Sequence, residues 1–166
     1  TRVKRLTPAA YNEGAFMLKR NGTYYLMWSS YDTRDPRYCV NYATGPSPTG
    51  PFTVAANNPI LKQKGTVKAA GHHSVVQASG KDQWFIAYHR FHIPDGNGYN
   101  REVCISPMRF ETDGTIRPVD VFQPAYAYLM AYFGPQQKLF YAYSFDARNW
   151  RALCGGKPVW SPPFVR

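Results

Sequence analysis

Pairs of short aromatic-rich runs recur along the chain at intervals of about fifty residues, a period typical of stacked or radially repeated β units. "YYLMWSS" is followed by "RYCVNYA", "QWFIAYHR" by "REVCISPM", and "AYLMAYF" by "KLFYAYS". Short apolar runs bounded by turn residues indicate β-strands, and four strands per repeat are typical of propeller blades. The sequence therefore predicts an all-β partial β-propeller, with two complete blades and one partial blade of four-stranded antiparallel sheets.

Turn residues separate these runs so often that long helices have little room. The chain has 14 proline and 13 glycine residues, and both residue types interrupt regular structure. Asn21-Gly22 lies between two apolar runs and is the strongest short-range signal for a β-hairpin. A β-sandwich would also have short strands and frequent turns, but the long repeat favours a propeller. Because a closed propeller has at least four blades, we expect only part of a ring.

The net charge is +10, from 20 Lys and Arg against 10 Asp and Glu. A cluster of cations would indicate nucleic-acid binding, because contacts with phosphates release counterions. The cations here are scattered, so a basic surface is the simpler interpretation, and we expect no nucleic-acid partner. No apolar stretch reaches the length of a transmembrane span, and the first residues lack the apolar core of a signal peptide. We expect no membrane partner, and the compartment stays open.

The three cysteines, Cys39, Cys104 and Cys154, are far apart and include no C-x-x-C pair. A zinc site is not expected from this spacing. Cys39 and Cys104 lie in strand-like runs, where a free thiol packs as a small apolar residue.

Glu13 is an isolated acid at the start of an apolar run, with Gly14 directly behind it. Alone, such a glutamate is most simply a solvated surface residue. A carboxyl group at a strand end among aromatic side chains could instead be desolvated and serve as a proton donor. The flanking residues decide between these interpretations.

Three ordered segments carry a resemblance to a known family. They are "NEGAFMLKRNGTYYLMWSS", "YCVNYATGPSPTGPF…NNPIL" and "GHHSVV…WFIAYHRF…YNREVCISPMRFETDGTIRPV", and together they resemble glycoside hydrolase family 43. The resemblance implies a five-bladed propeller that inverts glycosidic bonds, mostly in arabinan and xylan side chains. It spans roughly Tyr11 to Val119, so we assign residues 1–119 to the acid-bearing C-terminal blades. A carbohydrate of the arabinoxylan or arabinan type is the expected partner.

The resemblance also implies roles for individual residues. Glu13 takes the position of the general acid, which protonates the departing glycosidic oxygen. The family usually has proline where Ala15 stands. His72 takes the position of a histidine in the central channel that helps to hold a metal ion, often calcium, and His73 is the fallback. A hydrogen-bonded core histidine is the alternative for either one, and no organic cofactor is expected.

Substrate contacts are implied at three further positions. Arg101 corresponds to an arginine that reaches the sugar in related enzymes, and Arg90 is a rival candidate. A salt bridge, for example to Glu102, is the alternative for either arginine. Trp28 could stack on a sugar ring, although aromatic residues at strand ends are more often part of the core.

Inverting hydrolysis also needs a base that activates water, and the family supplies it as an aspartate on the first blade. A further aspartate on a middle blade tunes the acid. Both precede the matching glutamate in the family, and no aspartate precedes Glu13 here, so neither is assigned. "RDP" at Arg34 to Pro36 imitates the first-blade motif but falls in a loop of a different blade.

The last part of the chain resembles the opening of another family 43 propeller. "AYLMAYFGPQQKLFYAYSFDARNWRALCGGKPVW" carries this likeness, with Cys154 in place of the usual asparagine. We assign residues 120–166 to an incomplete, first-blade-like segment. Because two to three blades cannot close a ring, we expect a homo-oligomer or a complex with the missing propeller part.

The sequence thus predicts a glycoside hydrolase fragment of the arabinofuranosidase or xylosidase type, with Glu13 as the general acid and little activity on its own. The alternative is a carbohydrate-binding or structural propeller fragment without turnover, because the base aspartate is missing.

Overall fold

The computed structural model describes residues 6–121, 128–144 and 148–162. The chain divides into two compact units, Thr1–Gln123 and Pro124–Arg166, and the predicted boundary after residue 119 falls near this division. The described residues form ten β-strands in three antiparallel sheets and contain no α-helix. The all-β partial propeller predicted from the sequence is confirmed. Among the described residues, no helix has the length and apolar character needed to cross a membrane.

The first sheet is a complete four-stranded blade in which neighbours along the chain are neighbours in the sheet. Its strands are β1 (Glu13–Arg20), β2 (Thr23–Ser30), β3 (Cys39–Gly45) and β4 (Thr53–Val54). Asn21 and Gly22 connect β1 to β2 and both have positive φ angles, 47° and 82°. Two residues with positive φ form the tight turn that suits the right-handed twist of a hairpin, so the predicted hairpin is confirmed.

The second sheet has three strands, β5 (Gly71–Gln77), β6 (Trp84–Phe91) and β7 (Arg101–Met108). The sequence predicts four strands per complete blade, and the segment "TDGTIRPV" follows β7. In the structure this segment turns at Asp113-Gly114 and makes an isolated bridge between Phe110 and Ile116. Gly114 has a φ of 89° and bends the chain back so soon that a longer ladder does not develop.

The main hydrophobic core lies between the first and second sheets. It contains Met27 and Val40 from the first sheet and Ile86 and Tyr88 from the second, each almost fully buried. Strands that alternate between buried and exposed residues, as β6 does, place every second side chain in such a core. This packing brings the beginnings of β1 and β5 together.

The second unit contains a small three-stranded sheet. Its strands are β8 (Tyr128–Phe133), β9 (Leu139–Ser144) and β10 (Arg151–Ala152), in the order β10-β9-β8. The hairpin of β8 and β9 is the aromatic pair predicted from "AYLMAYF" and "KLFYAYS". Every residue of β8 is exposed within the described residues.

Candidate active site

Glu13 is the first residue of β1, and a bulge directly follows it. The pairing of β1 with β2 shifts register between Glu13 and Phe16, and Gly14 has a φ of 65°. A Cβ atom on Gly14 would lie 3.2 Å from the Ser29 hydroxyl and 3.6 Å from His72. Glycine therefore allows both the left-handed turn and the close approach, and the Glu13 side chain remains 40% exposed.

Tyr38 holds the Glu13 carboxyl group. The Tyr38 hydroxyl donates a hydrogen bond to Oε1 of Glu13 at 2.6 Å, while the tyrosine as a whole is fully buried. Burial, followed by the hydrogen bond to Glu13, raises the pKa of Tyr38 well above its usual range. Tyr38 therefore remains a neutral hydroxyl group that can act as a donor.

His72 lies on the other side of the same oxygen atom. Its Nδ1 is 3.6 Å from Oε1 of Glu13 and 3.5 Å from the Tyr38 hydroxyl. The backbone N–H of His72 donates to the Ser29 hydroxyl at 2.9 Å, which ties β5 to β2. The His72 side chain is 53% exposed, so it faces the open side of the site together with Glu13.

His89 and Arg101 extend this group of side chains. The His89 ring stacks on Tyr38 with centroids 5.4 Å apart and an angle of 7°. Nη1 of Arg101 lies 3.2 Å from Nε2 of His89 and donates to Thr33 at 3.1 Å. Because a guanidinium only donates hydrogen bonds, Nε2 of His89 accepts and its proton sits on Nδ1.

The electrostatics agree with a neutral His89. Burial, with a smaller contribution from the Arg101 charge, lowers the pKa of His89 to about 4. Its Nδ1 is buried and has no hydrogen-bond partner among the described residues. The structure thus brings Glu13, His72 and Arg101 into one group, in which Tyr38 and His89 are the connecting residues.

His73 points away from this group. It is 5% exposed, packs against Phe16 with ring centroids 5.8 Å apart, and has no hydrogen-bond partner for either ring nitrogen among the described residues. The strand has a bulge here, and His72 has a φ of 47°, so that His72 is exposed while His73 is buried. The fallback assignment of His73 as a metal ligand is corrected to a packing role.

A metal ion at this site stays a prediction. Within residues 6–121, 128–144 and 148–162, no group of three or more His, Cys, Asp or Glu side chains could hold one. Calcium prefers six to eight oxygen ligands, and His72 offers nitrogen. The described residues therefore do not fit a calcium site by themselves.

Arg90 is a structural residue. It is 2% exposed, and its Nε donates to Oε1 of Glu102 at 2.8 Å. The two residues lie directly opposite each other in the β6–β7 pairing, where opposite charges stabilise a sheet. The suggestion that Arg90 contacts the sugar is corrected: the salt-bridge alternative describes its place in the structure.

Trp28 is also part of the core. It is 1% exposed and packs with Leu26 and Ala43, covered by Leu6 and Phe52. A ring with so little accessible surface cannot offer a face to a sugar. The suggested stacking role of Trp28 is therefore corrected to packing.

Sequence reasoning did not identify Tyr38 or His89 as site residues. Tyr38 precedes a strand in "RYCVNYA", and His89 stands beside the arginine that drew attention in "AYHRF". One signal was available for Arg90: it shares the two-residue period of Trp84, Ile86 and Tyr88, which indicates a core position. The contact between Tyr38 and His89 joins two sheets, and no local pattern encodes it.

The blade-like sheets, in which strands that are neighbours along the chain are neighbours in the sheet, place the molecule in the propeller class. Comparison with known proteins defines the family. The sequence profile of glycosyl hydrolases family 43 matches residues 1–116. The chain belongs to this family.

Curated relatives and a solved structure agree with this assignment. A beta-D-galactofuranosidase, xynD, from Aspergillus niger is 40% identical over 116 residues, which are 70% of this chain and 34% of the relative. A xylosidase/arabinosidase from Bacteroides ovatus is 31% identical, over 69% of this chain and 32% of the relative. The crystal structure of a thermostable family-43 glycoside hydrolase matches with a TM-score of 0.60 and 35% identity, over 68% of this chain and 38% of that one. The chain thus spans about a third of the length of these curated relatives.

Proposed function

We propose that this chain is the acid-bearing part of an inverting glycoside hydrolase that cleaves arabinofuranosyl or xylosyl linkages in side chains of plant hemicellulose or pectin. The observation that carries the proposal is the carboxyl group of Glu13, which is open to ligand and yet fixed by the 2.6 Å hydrogen bond from Tyr38. The names of the relatives, a galactofuranosidase and a xylosidase/arabinosidase, support a furanoside or xyloside substrate.

Glu13 acts as the general acid. Oε1 of Glu13 accepts the hydrogen bond from the Tyr38 hydroxyl. The proton delivered to the glycosidic oxygen is therefore carried by Oε2 of Glu13. Proton donation lowers the barrier because the departing oxygen would otherwise leave as an alkoxide. Arg101, which lies beside His89, binds sugar hydroxyls through its remaining donors.

His72 borders the sugar on the far side of the Glu13 carboxyl group. If calcium binds near it, as the resemblance implies, oxygen ligands from water or from other parts of a propeller complete its shell. No catalytic step of this proposal depends on that ion.

The water-activating base comes from outside this chain. No aspartate precedes Glu13, and the first ones that follow it are ion-paired: Asp32 with Arg34 and Asp35 with Arg37. In inverting enzymes the two carboxyl groups are about 6.5–9.5 Å apart. The propeller part that the relatives have beyond this chain is the proposed source of the base.

A chimera tests this proposal. Residues 1–116 of this chain replace the matching segment of the Aspergillus relative, which supplies the rest of the propeller. We expect hydrolysis of 4-nitrophenyl furanosides or xylosides, and a loss in kcat of about 10²–10⁴ on Glu13→Gln, the usual contribution of a positioned acid. Glu111→Gln is the matched control, because Glu111 is exposed and pairs with Arg117. Full activity of the Glu13→Gln chimera would disprove the assignment.

The second candidate function is carbohydrate binding without turnover. The ion pairs of the first aspartates after Glu13 favour it, because Asp32 is paired with Arg34 and Asp35 with Arg37. An active chimera that depends on Glu13 would exclude this alternative for residues 1–116. Saccharide binding by a chimera that is folded and inactive would support it.

A further inference from the structure

A cleft of about 640 Å³ opens where β2 ends and β3 begins. Its lining includes Tyr31 and Asp32 after β2, Asn41 on β3, and Gln63 from the segment that follows β4. It is distinct from the group around Glu13, because Tyr38, His72 and His89 are not among its lining residues.

Two residues of the cleft have unfavourable backbone conformations. Ala10 and Tyr31 both lie in the left-handed region, with φ angles of 58° and 69°. That region is costly for residues with a Cβ atom, and for a bulky residue such as tyrosine it is a true outlier. Strained backbone conformations persist only where the surrounding structure stabilises them, and they are concentrated at binding and active sites.

Hydrogen bonds stabilise the backbone around Ala10 and the end of β2. The Ser30 hydroxyl donates to the carbonyl oxygen of Ala10 at 2.5 Å, and Nδ2 of Asn41 donates to the Ser30 hydroxyl at 2.7 Å. The chain before β1 is therefore fastened to β2 and β3. Tyr31, with its left-handed backbone conformation, directly follows Ser30, which makes these hydrogen bonds.

The Tyr31 ring is fixed as well as exposed. It is 47% exposed, and the Arg37 guanidinium lies 4.7 Å from the ring centroid. Asp35 in turn holds Arg37, whose Nη2 and Nε donate to its carboxylate at 2.7 Å and 3.0 Å. A pre-positioned aromatic ring loses little conformational freedom when a ligand packs on it.

The charges favour a neutral ligand. Arg37 is paired with Asp35, and Asp32 is paired with Arg34, so these four charges compensate one another. Lys62 adds one positive charge, while Asn41 and Gln63 add amides. Phosphate groups are usually bound by several converging cations or N–H groups, whereas an aromatic ring surrounded by amides suits a polyhydroxylated ring.

The cleft begins next to the candidate catalytic acid. Asn12 lines it, and the next residue in the chain is Glu13. Consecutive Cα atoms are about 3.8 Å apart, so the lining of the cleft comes within one residue of Glu13.

We propose that this cleft is a saccharide subsite that binds the units of an oligosaccharide adjacent to the one at Glu13, with Tyr31 as the stacking ring. The proposal rests on the proposed glycosidase function, which it deepens by assigning recognition of a chain rather than of a single sugar.

Calorimetric titration of the 166-residue chain tests the subsite without any need for turnover. Xylotetraose and an arabino-oligosaccharide of the same length are compared with xylose and arabinose. We expect at least one tetrasaccharide to bind about tenfold or more tightly than its monosaccharide, and Tyr31→Ala to weaken that binding about tenfold. Tyr31→Phe, which keeps the ring, should bind as the unchanged chain does.

Two controls make the result specific. Tyr24→Ala removes a tyrosine of β2 that also lies under a cation, Lys19, at 5.1 Å, but near the end of β2 that is far from Tyr31. It should leave the affinity unchanged. Glu13→Gln should also bind the tetrasaccharide, so a failure of the catalytic assignment is separable from a failure of the subsite. The proposal is overturned if neither tetrasaccharide binds better than its monosaccharide, or if Tyr31→Ala and Tyr24→Ala have equal effects.

Discussion

Tyr38 accounts for the glycine that precedes the two adjacent histidines. A Cβ atom on Gly71 would overlap the Cε1 and Cδ1 atoms of the Tyr38 ring. Gly71 does not have the positive φ that would itself require glycine. The close approach of β5 to Tyr38 is therefore what excludes a side chain at residue 71, and it places the Tyr38 hydroxyl at Glu13.

Gly71→Ala should therefore destabilise the protein. Where the backbone is unstrained, this change usually stabilises by about 0.4–1 kcal/mol, but overpacking against Tyr38 should cost about 1–3 kcal/mol. Urea unfolding of Gly71→Ala, Tyr38→Ala and the double variant measures the coupling. The cost of Gly71→Ala should largely vanish when Tyr38 is alanine. A neutral or stabilising effect of Gly71→Ala in the unchanged background would contradict this account.

Single residues also show how far the sequence could predict the site. Glu13, His72 and Arg101 were found because ordered motifs surround them, and the structure brings them together. Tyr38 and His89 were missed because their ring contact joins different sheets. Residue type alone suggested ligand contacts for Trp28 and Arg90, but both are buried in the core. The two-residue period of β6 indicates this for Arg90, whereas β2 is buried on both faces and has no such period around Trp28.

At the scale of the strand, a bulge at the start of β5 separates the two adjacent histidines. The pairing of β5 with β6 shifts register between Gly71 and Ser74, and His72 has a φ of 47°. His72 consequently faces Glu13, while His73 enters the core. Burial, with a smaller contribution from His72, lowers the pKa of His73 to about 4.

The buried His73 should make stability depend on pH. An unfolded histidine has a pKa of about 6.5, so between pH 6.5 and about 4 the unfolded chain binds the proton more readily than the folded one. Stability is then full above about pH 6.5 and falls as the pH drops toward 4. Urea unfolding at pH 7 and pH 4.5 should show this loss, and His73→Leu should reduce it.

His89 contributes to the same loss, because its pKa is also lowered to about 4, so His73→Leu removes only part of it. The control is His92→Gln, since His92 lies exposed in the loop after β6. His92→Gln should leave the pH dependence of stability unchanged. The interpretation fails if His73→Leu leaves it unchanged as well.

The strand pattern was the most predictable level of the fold. The hairpins that Asn21-Gly22 and the aromatic pairs predict are present in the structure. The alternation of apolar and polar residues and the choice of turn residues are local properties, so the sequence reveals them directly. The fourth strand of the second sheet was not formed in the described residues, since Gly114 turns the chain back after one bridge.

At the scale of the molecule, the second sheet has an apolar outer face. Val76, Val103 and Ile105 are 61%, 77% and 64% exposed, and the pairing of β5, β6 and β7 places them on the same face. Monomeric proteins seldom expose contiguous apolar patches of more than a few hundred Å². A face of this kind indicates that another surface covers it.

We expect the purified chain to associate through this face, most simply as a two-fold dimer. The double variant Val103→Lys/Ile105→Lys should shift sedimentation toward the monomer. Val54→Lys is the control, because Val54 is an exposed valine on the edge strand β4, where a lysine blocks edge-to-edge pairing instead. A well-folded, non-aggregating monomer at micromolar concentration would refute the association, and a response to Val54→Lys alone would assign it to the sheet edge.

The central claim is that Glu13 donates the proton to the leaving group. The most direct test is how the loss in kcat on Glu13→Gln depends on the leaving group of the substrate. In the chimera with the Aspergillus relative, kcat of Glu13→Gln is compared for 2,4-dinitrophenyl and alkyl glycosides. The dinitrophenolate departs without protonation, so we predict a loss of less than about tenfold with that substrate and of about 10²–10⁴ with the alkyl glycoside. Equal losses with both substrates would contradict a proton-donating role for Glu13.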